Sequence, residues 1–251
     1  MKKLMAANWK MYKSVDQGVT TAQELCALLD GQVSDDREVL VCTPCTMLGP
    51  VAEIFSQRPY CAVGAQNFYP AAQGAFTGEI CPEQLLSLGC SWALVGHSER
   101  RHILGETDEF CARKVAFGLD AGLKIILCVG ETIEERRAGQ VEQVLERQLM
   151  VGLRYVVHNA TAATLSIAYE PVWAIGTGEV AGPDEICAAH TFVRTTLCSL
   201  LPSCGAEVRI LYGGSVKPDN TAAILSLDNV NGVLVGGASL HAGSFAQIVL
   251  A

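Results

Sequence analysis

The chain is short of positive charge: 18 Lys and Arg against 26 Asp and Glu leave a net charge of −8. That deficit argues against a nucleic acid or an anionic membrane as partner, because both need a basic surface. It still allows a small anionic substrate, which is read by local groups rather than by the total. Also missing are a Pro/Ser-rich linker, a low-complexity tract and any break in composition, so residues 1–251 read as one domain with ample apolar content for a large core. No secretory leader is expected either, since the apolar stretch after Lys3 stops at Asn8 and Lys10. Residues 229–251 carry no charged side chain, but Gly232, Gly236, Gly237, His241, Gly243 and Gln247 suit a strand, turn and helix better than a membrane span. A soluble, cytoplasmic protein is expected.

Eleven cysteines are present, an odd number scattered through strand-like and helix-like runs, as suits reduced thiols. Cys42-Thr43-Pro44-Cys45 matches C-x-x-C and leaves a redox pair or half a zinc site as the lesser reading. No second pair or nearby His pair completes a metal site, and none is expected.

Eight short, near-continuously apolar runs recur at 4–9, 39–42, 62–65, 92–95, 125–129, 165–169, 208–211 and 232–235. Such runs read as parallel strands covered on both faces. Helical patterns separate them, for example Ala22, Leu25, Cys26 and Leu29, preceded by Ser14 and Gln17 as a capping box. Thr132 with Glu135 forms a second box ahead of the stripe Val141, Val144, Leu145 and Leu149. Pro82, Pro183 and Pro218 are expected at first helical positions, and Gly89 and Gly122 at left-handed helix ends. Eight strand-helix units in this length specify an α/β fold, a single-domain (β/α)8 TIM barrel, and the active site is then expected at the C-terminal strand ends.

Those ends carry polar residues. Strand one ends in Asn8-Trp9-Lys10, where Lys10 reads either as a solvated rim charge or as a fixed cation facing an anion. Strand four leads into Gly96-His97-Ser98-Glu99-Arg100-Arg101. A helix starting there would keep His97 neutral, although a structural histidine is the alternative. Strands seven and eight end in Tyr212-Gly213-Gly214-Ser215 and Gly236-Gly237-Ala238-Ser239. Two Gly-rich ends in succession match the phosphate site common in such barrels.

The stretch Tyr169-Glu170-Pro171-Val172-Trp173-Ala174-Ile175-Gly176-Thr177-Gly178 stands apart. Pro171 stops a central strand, which makes Glu170 its last residue. Trp173 and Ile175 supply an apolar cover, and burial raises the pKa of a carboxyl group toward a value useful for proton transfer. Gly176 and Gly178 let backbone N–H groups approach an anion. The segment reads as a lid; an ordinary βα loop with an exposed glutamate is the alternative.

These five motifs, in this order, resemble those of the triosephosphate isomerase family over the whole chain. The resemblance implies interconversion of dihydroxyacetone phosphate and D-glyceraldehyde 3-phosphate through an enediolate, a step of glycolysis and gluconeogenesis, with no metal or organic cofactor. It makes Glu170 the base and His97 the neutral electrophile, with Lys10 and Asn8 as electrostatic partners. It makes Gly176, Ser215, Gly236 and Gly237 the phosphate donors and gives Glu99 a supporting place. A homodimer is implied through the loop Gly74–Glu79, whose Thr77 would reach the other subunit's site. Another phosphate-binding barrel enzyme, or a non-catalytic barrel, is the competing reading; neither needs Glu170, His97 and Lys10 together.

Ala7, Tyr12 and Glu179 depart from common family versions. Glu179 puts negative charge on a lid closing over a dianion and is expected to weaken substrate binding slightly. A Glu179→Lys variant should therefore show a lower KM at low salt; an unchanged value would remove the idea.

Overall fold

Among the residues described by the computed structural model, 1–174 and 181–251, eight parallel strands close into a barrel in sequence order. They are β1 (Lys3–Asn8), β2 (Arg37–Thr43), β3 (Cys61–Ala65), β4 (Trp92–Val95), β5 (Lys124–Val129), β6 (Leu165–Tyr169), β7 (Arg209–Tyr212) and β8 (Gly232–Val235). All eight expected runs form strands; three match end to end and the others are shifted by one or two residues. Leu4 of β1 pairs with Gly232 of β8, which closes the ring.

The period of two in each strand sorts the core into two layers. Leu4 and Ala6 point into the barrel with Leu40, Cys42, Trp92, Leu94, Ile126, Cys128, Ala168, Leu211 and Leu234. Met5 and Ala7 point outward, into the larger layer between strands and helices. The inward row Leu4, Ala6 continues to Asn8, and the row Ser166, Ala168 continues to Glu170. The alternation that fills the barrel therefore delivers these two polar side chains to its mouth.

The helix Val15–Leu29 begins with the expected box: Gln17 N–H donates to Ser14 Oγ (3.3 Å) and Ser14 N–H to Gln17 Oε1 (2.9 Å). Pro82 and Pro183 open the helices Pro82–Ser87 and Pro183–Leu200, and Gly89 and Gly122 have φ of 79° and 95°. Two expectations need correction. The Thr132 box caps a separate short helix, Ile133–Arg137, because Gly139 (φ 70°) turns the chain before the stripe helix Val141–Leu153. Pro218 sits in a turn, and the helix after it starts only at Thr221, because Asn220 Oδ1 first accepts the Lys217 N–H (2.8 Å). Cys42 points into the barrel while Cys45 is exposed, so they form no pair. All eleven cysteines are free. Among the described residues no cluster of three or more His, Cys, Asp or Glu is placed to hold a metal, and no helix is long and apolar enough to cross a membrane.

Candidate active site

Asn8 ends β1, and its Oδ1 accepts the Lys10 N–H (3.0 Å). That turn holds Lys10 at φ 51°, a left-handed conformation uncommon for a residue with a side chain. Gln66, just past β3, secures it by donating to the Lys10 carbonyl (2.9 Å) and the Cys42 carbonyl (3.1 Å). Lys10 Nζ then reaches Glu99 Oε1 at 2.7 Å. The ammonium is thus aimed across the mouth rather than out into solvent.

At the end of β4, Gly96 (φ 68°) makes a turn that the Arg101 guanidinium covers; a Cβ there would lie 2.7 Å from Arg101 Nη2. His97 follows as the N-cap of the short helix Ser98–His102 and is 5% exposed. Its Nδ1 accepts the Glu99 N–H at 3.3 Å. An accepting Nδ1 carries no proton, so the imidazole is neutral with its proton on Nε2. The Glu99 carboxylate, 3.6 Å from the same Nδ1, makes no ion pair with it in that tautomer.

Nε2 faces Glu170 Oε1 at 3.1 Å, and Glu170 Oε2 accepts the Ser98 N–H at 2.9 Å. Glu170, expected as the last residue of the strand, stands immediately past β6, which ends one residue earlier at Tyr169, and is 2% exposed. Neutral donors therefore satisfy both oxygens of a buried carboxylate, and among the described residues no counter-charge touches them.

Asn8, Lys10, His97 and Glu170 border a cavity of about 420 Å3. The glycine-rich ends after β7 and β8 complete its lining with Gly213, Gly214, Ser215, Gly236 and Gly237; Gly213 lies against Glu170 and Gly236 against Lys10. A Cβ on Gly237 would meet nothing within 4 Å, so its peptide is bare toward the opening. The Gly237–Leu240 turn is a 3-10 helix whose first residues border the cavity.

Comparison with known proteins identifies the family. The family model for triosephosphate isomerase matches residues 3–251. The chain belongs to the triosephosphate isomerase family. It is 57% identical to a triosephosphate isomerase of Nitratidesulfovibrio vulgaris (strain DSM 19637 / Miyazaki F) and 58% identical to one of Oleidesulfovibrio alaskensis, in each case over 100% of both chains. Its fold is similar to the crystal structure of triosephosphate isomerase from Bartonella henselae, with a TM-score of 0.88, 37% identity and coverage of 99% of this chain and 98% of that one.

As a member of the triosephosphate isomerase family, the chain carries two further groups that sequence reasoning passed over. Glu131, two residues past β5, is wholly buried, and its Oε1 accepts from Trp173 Nε1 (2.8 Å), Tyr169 OH (3.2 Å) and Arg136 Nη1 (3.4 Å). Arg136 also lies over the Trp173 ring (4.6 Å) and pairs with Glu185, which accepts the Gly182 N–H at 2.7 Å. One guanidinium therefore ties together the flanks on either side of residues 175–180. Glu131 was legible as a polar residue at a strand's C-terminal end, whereas Arg136, on the helix after it, had no sequence signal. Gly176, Thr177, Gly178 and Glu179 lie outside the described residues. Thr77 is exposed on the loop after β3 and does not border the cavity of its own chain.

Behind Glu170, His190 is fully buried on the helix Pro183–Leu200, edge-on to Tyr169 at 5.9 Å and 6.4 Å from Tyr212. Burial, aided by Arg194 and opposed by the Asn229 carbonyl, lowers its pKa to about 4. Between roughly pH 6.5 and 4 the unfolded chain takes up a proton that the folded chain refuses, so stability falls as pH falls through that window. The loss at the acid end is on the order of 3 kcal/mol. Between pH 7 and 4.5 the unfolding temperature of the parent protein should drop further than that of His190→Gln; parallel drops would contradict a buried neutral imidazole.

Proposed function

We propose that this cavity interconverts dihydroxyacetone phosphate and D-glyceraldehyde 3-phosphate, with Glu170 as the base that moves a proton between the two carbons. The observation that carries the reading is the convergence of a buried carboxylate, a neutral imidazole with its proton on Nε2 and the Lys10 ammonium on a cavity that the glycine-rich ends of β7 and β8 also line. As a proton leaves carbon, negative charge grows on the carbonyl oxygen; His97 Nε2–H and Lys10 Nζ are donors for it, and Asn8 holds the Lys10 turn. A neutral imidazole can donate there and then take the proton across to the neighbouring oxygen, whereas the carboxylate returns its proton to the adjacent carbon. Both Glu170 oxygens are engaged by Ser98 and His97, so the carboxylate must turn away from them before it reaches a carbon. Glu99 sets the reach of Lys10.

Gly236, Gly237 and Ser215 are the proposed phosphate contacts, with Gly176 completing them from the lid. Closing the lid over an enediolate excludes water and strengthens each electrostatic contact. A cytoplasmic location is part of the same reading and fits eleven unpaired thiols. The test is a coupled assay with each triose phosphate, run alongside deuterium uptake from heavy water into the product. Absence of turnover in both directions would end the proposal.

The partner is proposed to be a second copy of the chain. Met11, next to Lys10, is 95% exposed, and Tyr12 and Phe76 are also exposed, a concentration of apolar surface on the loops after β1 and β3. Light scattering should give twice 26.7 kDa. Phe76→Asp should return the mass of one chain with much reduced activity, and a parent protein of single-chain mass would refute the dimer.

A further inference from the structure

The loop after β1 does more than carry Lys10. Trp9 Nε1 donates to the Ser239 carbonyl (3.1 Å) and Lys13 Nζ to the Leu240 carbonyl (2.7 Å), the last two carbonyls of the Gly237–Leu240 turn. Lys13 Nζ also donates to Thr21 Oγ1 (2.8 Å) on the helix Val15–Leu29 and lies 5.3 Å above the Trp9 ring. Its backbone is left-handed, at φ 74°, which a lysine adopts only when its surroundings impose it. The strained backbone and the three contacts of the ammonium fix one object: the far end of the turn whose near end, Gly236 and Gly237, borders the cavity. Within the turn, Gly236 O accepts from Ser239 N–H (2.9 Å) and Ser239 Oγ (2.7 Å), so the two ends move together.

We propose that Lys13 is a positioning residue for phosphate binding, holding the C-terminal carbonyls of the 237–240 turn so that the N–H groups at its start keep their aim into the cavity. The proposal rests on the reading of Gly236 and Gly237 as phosphate contacts. A cation at the carbonyl end of a helical turn complements its dipole, and an anion at the N–H end does the same from the other side, so the two are mutually supporting. Lys13 touches neither Glu170 nor His97, and the proton-transfer end of the site should not register its loss.

The experiment measures competitive inhibition by inorganic phosphate together with kcat and KM for both triose phosphates. Lys13→Met should raise the phosphate inhibition constant and both KM values by a common factor of about 3 to 10, with kcat within about twofold, the pattern of lost uniform binding. Lys13→Gly, which accepts the left-handed backbone freely, should show the same factor and serves if the Met variant is poorly folded. A fall in unfolding temperature with unchanged phosphate inhibition would reduce Lys13 to a packing residue and overturn the proposal; so would a fall in kcat at constant KM. Gly237→Asp places a carboxylate at the near end of the turn. If phosphate inhibition survives that change, the anion binds elsewhere and both readings fail. If Gly237→Asp weakens inhibition while the Lys13 variants do not, the role of Lys13 alone is lost.

Discussion

Glu170→Gln is expected to lower kcat by at least ~10²- to 10⁴-fold, the range that loss of a general base costs, in a barrel that still folds. An amide is close in size to a carboxylate, so the packing around position 170 survives. The chemistry does not, because an amide takes no proton from carbon at neutral pH. The hydrogen bonds change as well: Oε1 and Oε2 accept from His97 Nε2 and from the Ser98 N–H, and an amide offers only one acceptor. Its NH2 must then face one of these donors, and His97 cannot switch tautomer because its Nδ1 is committed to the Glu99 N–H. A competing donor pair in a buried site adds a cost in stability of about 1–3 kcal/mol. Retained parent turnover in this variant would place the base elsewhere, and circular dichroism would separate lost chemistry from lost fold.

Gly130→Ala should be the most damaging glycine-to-alanine change among the described residues. Gly130 follows β5, and a Cβ there would sit 1.7 Å from the Glu170 carbonyl oxygen. The obstacle is backbone, which cannot rotate away as a side chain would. On one side the Glu170 N–H is bonded to the Val129 carbonyl (2.8 Å); on the other, the buried Gln148 amide bonds both the N–H and the carbonyl of Gly130 (2.8 and 3.2 Å). Relief requires β5 and β6 to part where Glu170, the proposed base, is mounted. The overpacking costs at least the ~1–3 kcal/mol seen for extra methyl groups in tight cores. Moving a catalytic group by about 1 Å costs on the order of 10²-fold in rate. Thermal unfolding and kcat should fall together; a variant with parent kcat would show that the two strand ends have slack that the geometry denies.

The strands were legible because parallel strands buried on both faces leave near-continuous apolar runs, and punctuation by Gly and Pro located most helices. Thr132 misled in one respect only: its capping box is real, but Gly139 breaks the helical pattern that the stripe beginning at Val141 suggested was continuous. Position and residue type marked Asn8, Lys10, His97 and Glu170 as mouth residues. What sequence could not show was partnership. Nothing local announces that Glu170 rests on the Ser98 N–H, that Gln66 clamps the Lys10 turn, or that Arg136 joins Glu131 to Glu185, because these contacts depend on how the ring closes.

Ring closure also settles where the two ends of the polypeptide emerge. The Lys3 N–H donates to the Asp36 carbonyl (2.7 Å), and the Arg37 guanidinium donates to the Ala251 carbonyl (3.3 Å), so adjacent residues hold both termini at the base of the ring, opposite its mouth. A tag, a tether to a surface or a fused second protein attached at either terminus therefore leaves the opening unobstructed, and a short bridge between the termini could make the chain circular without crossing the path by which a sugar phosphate enters.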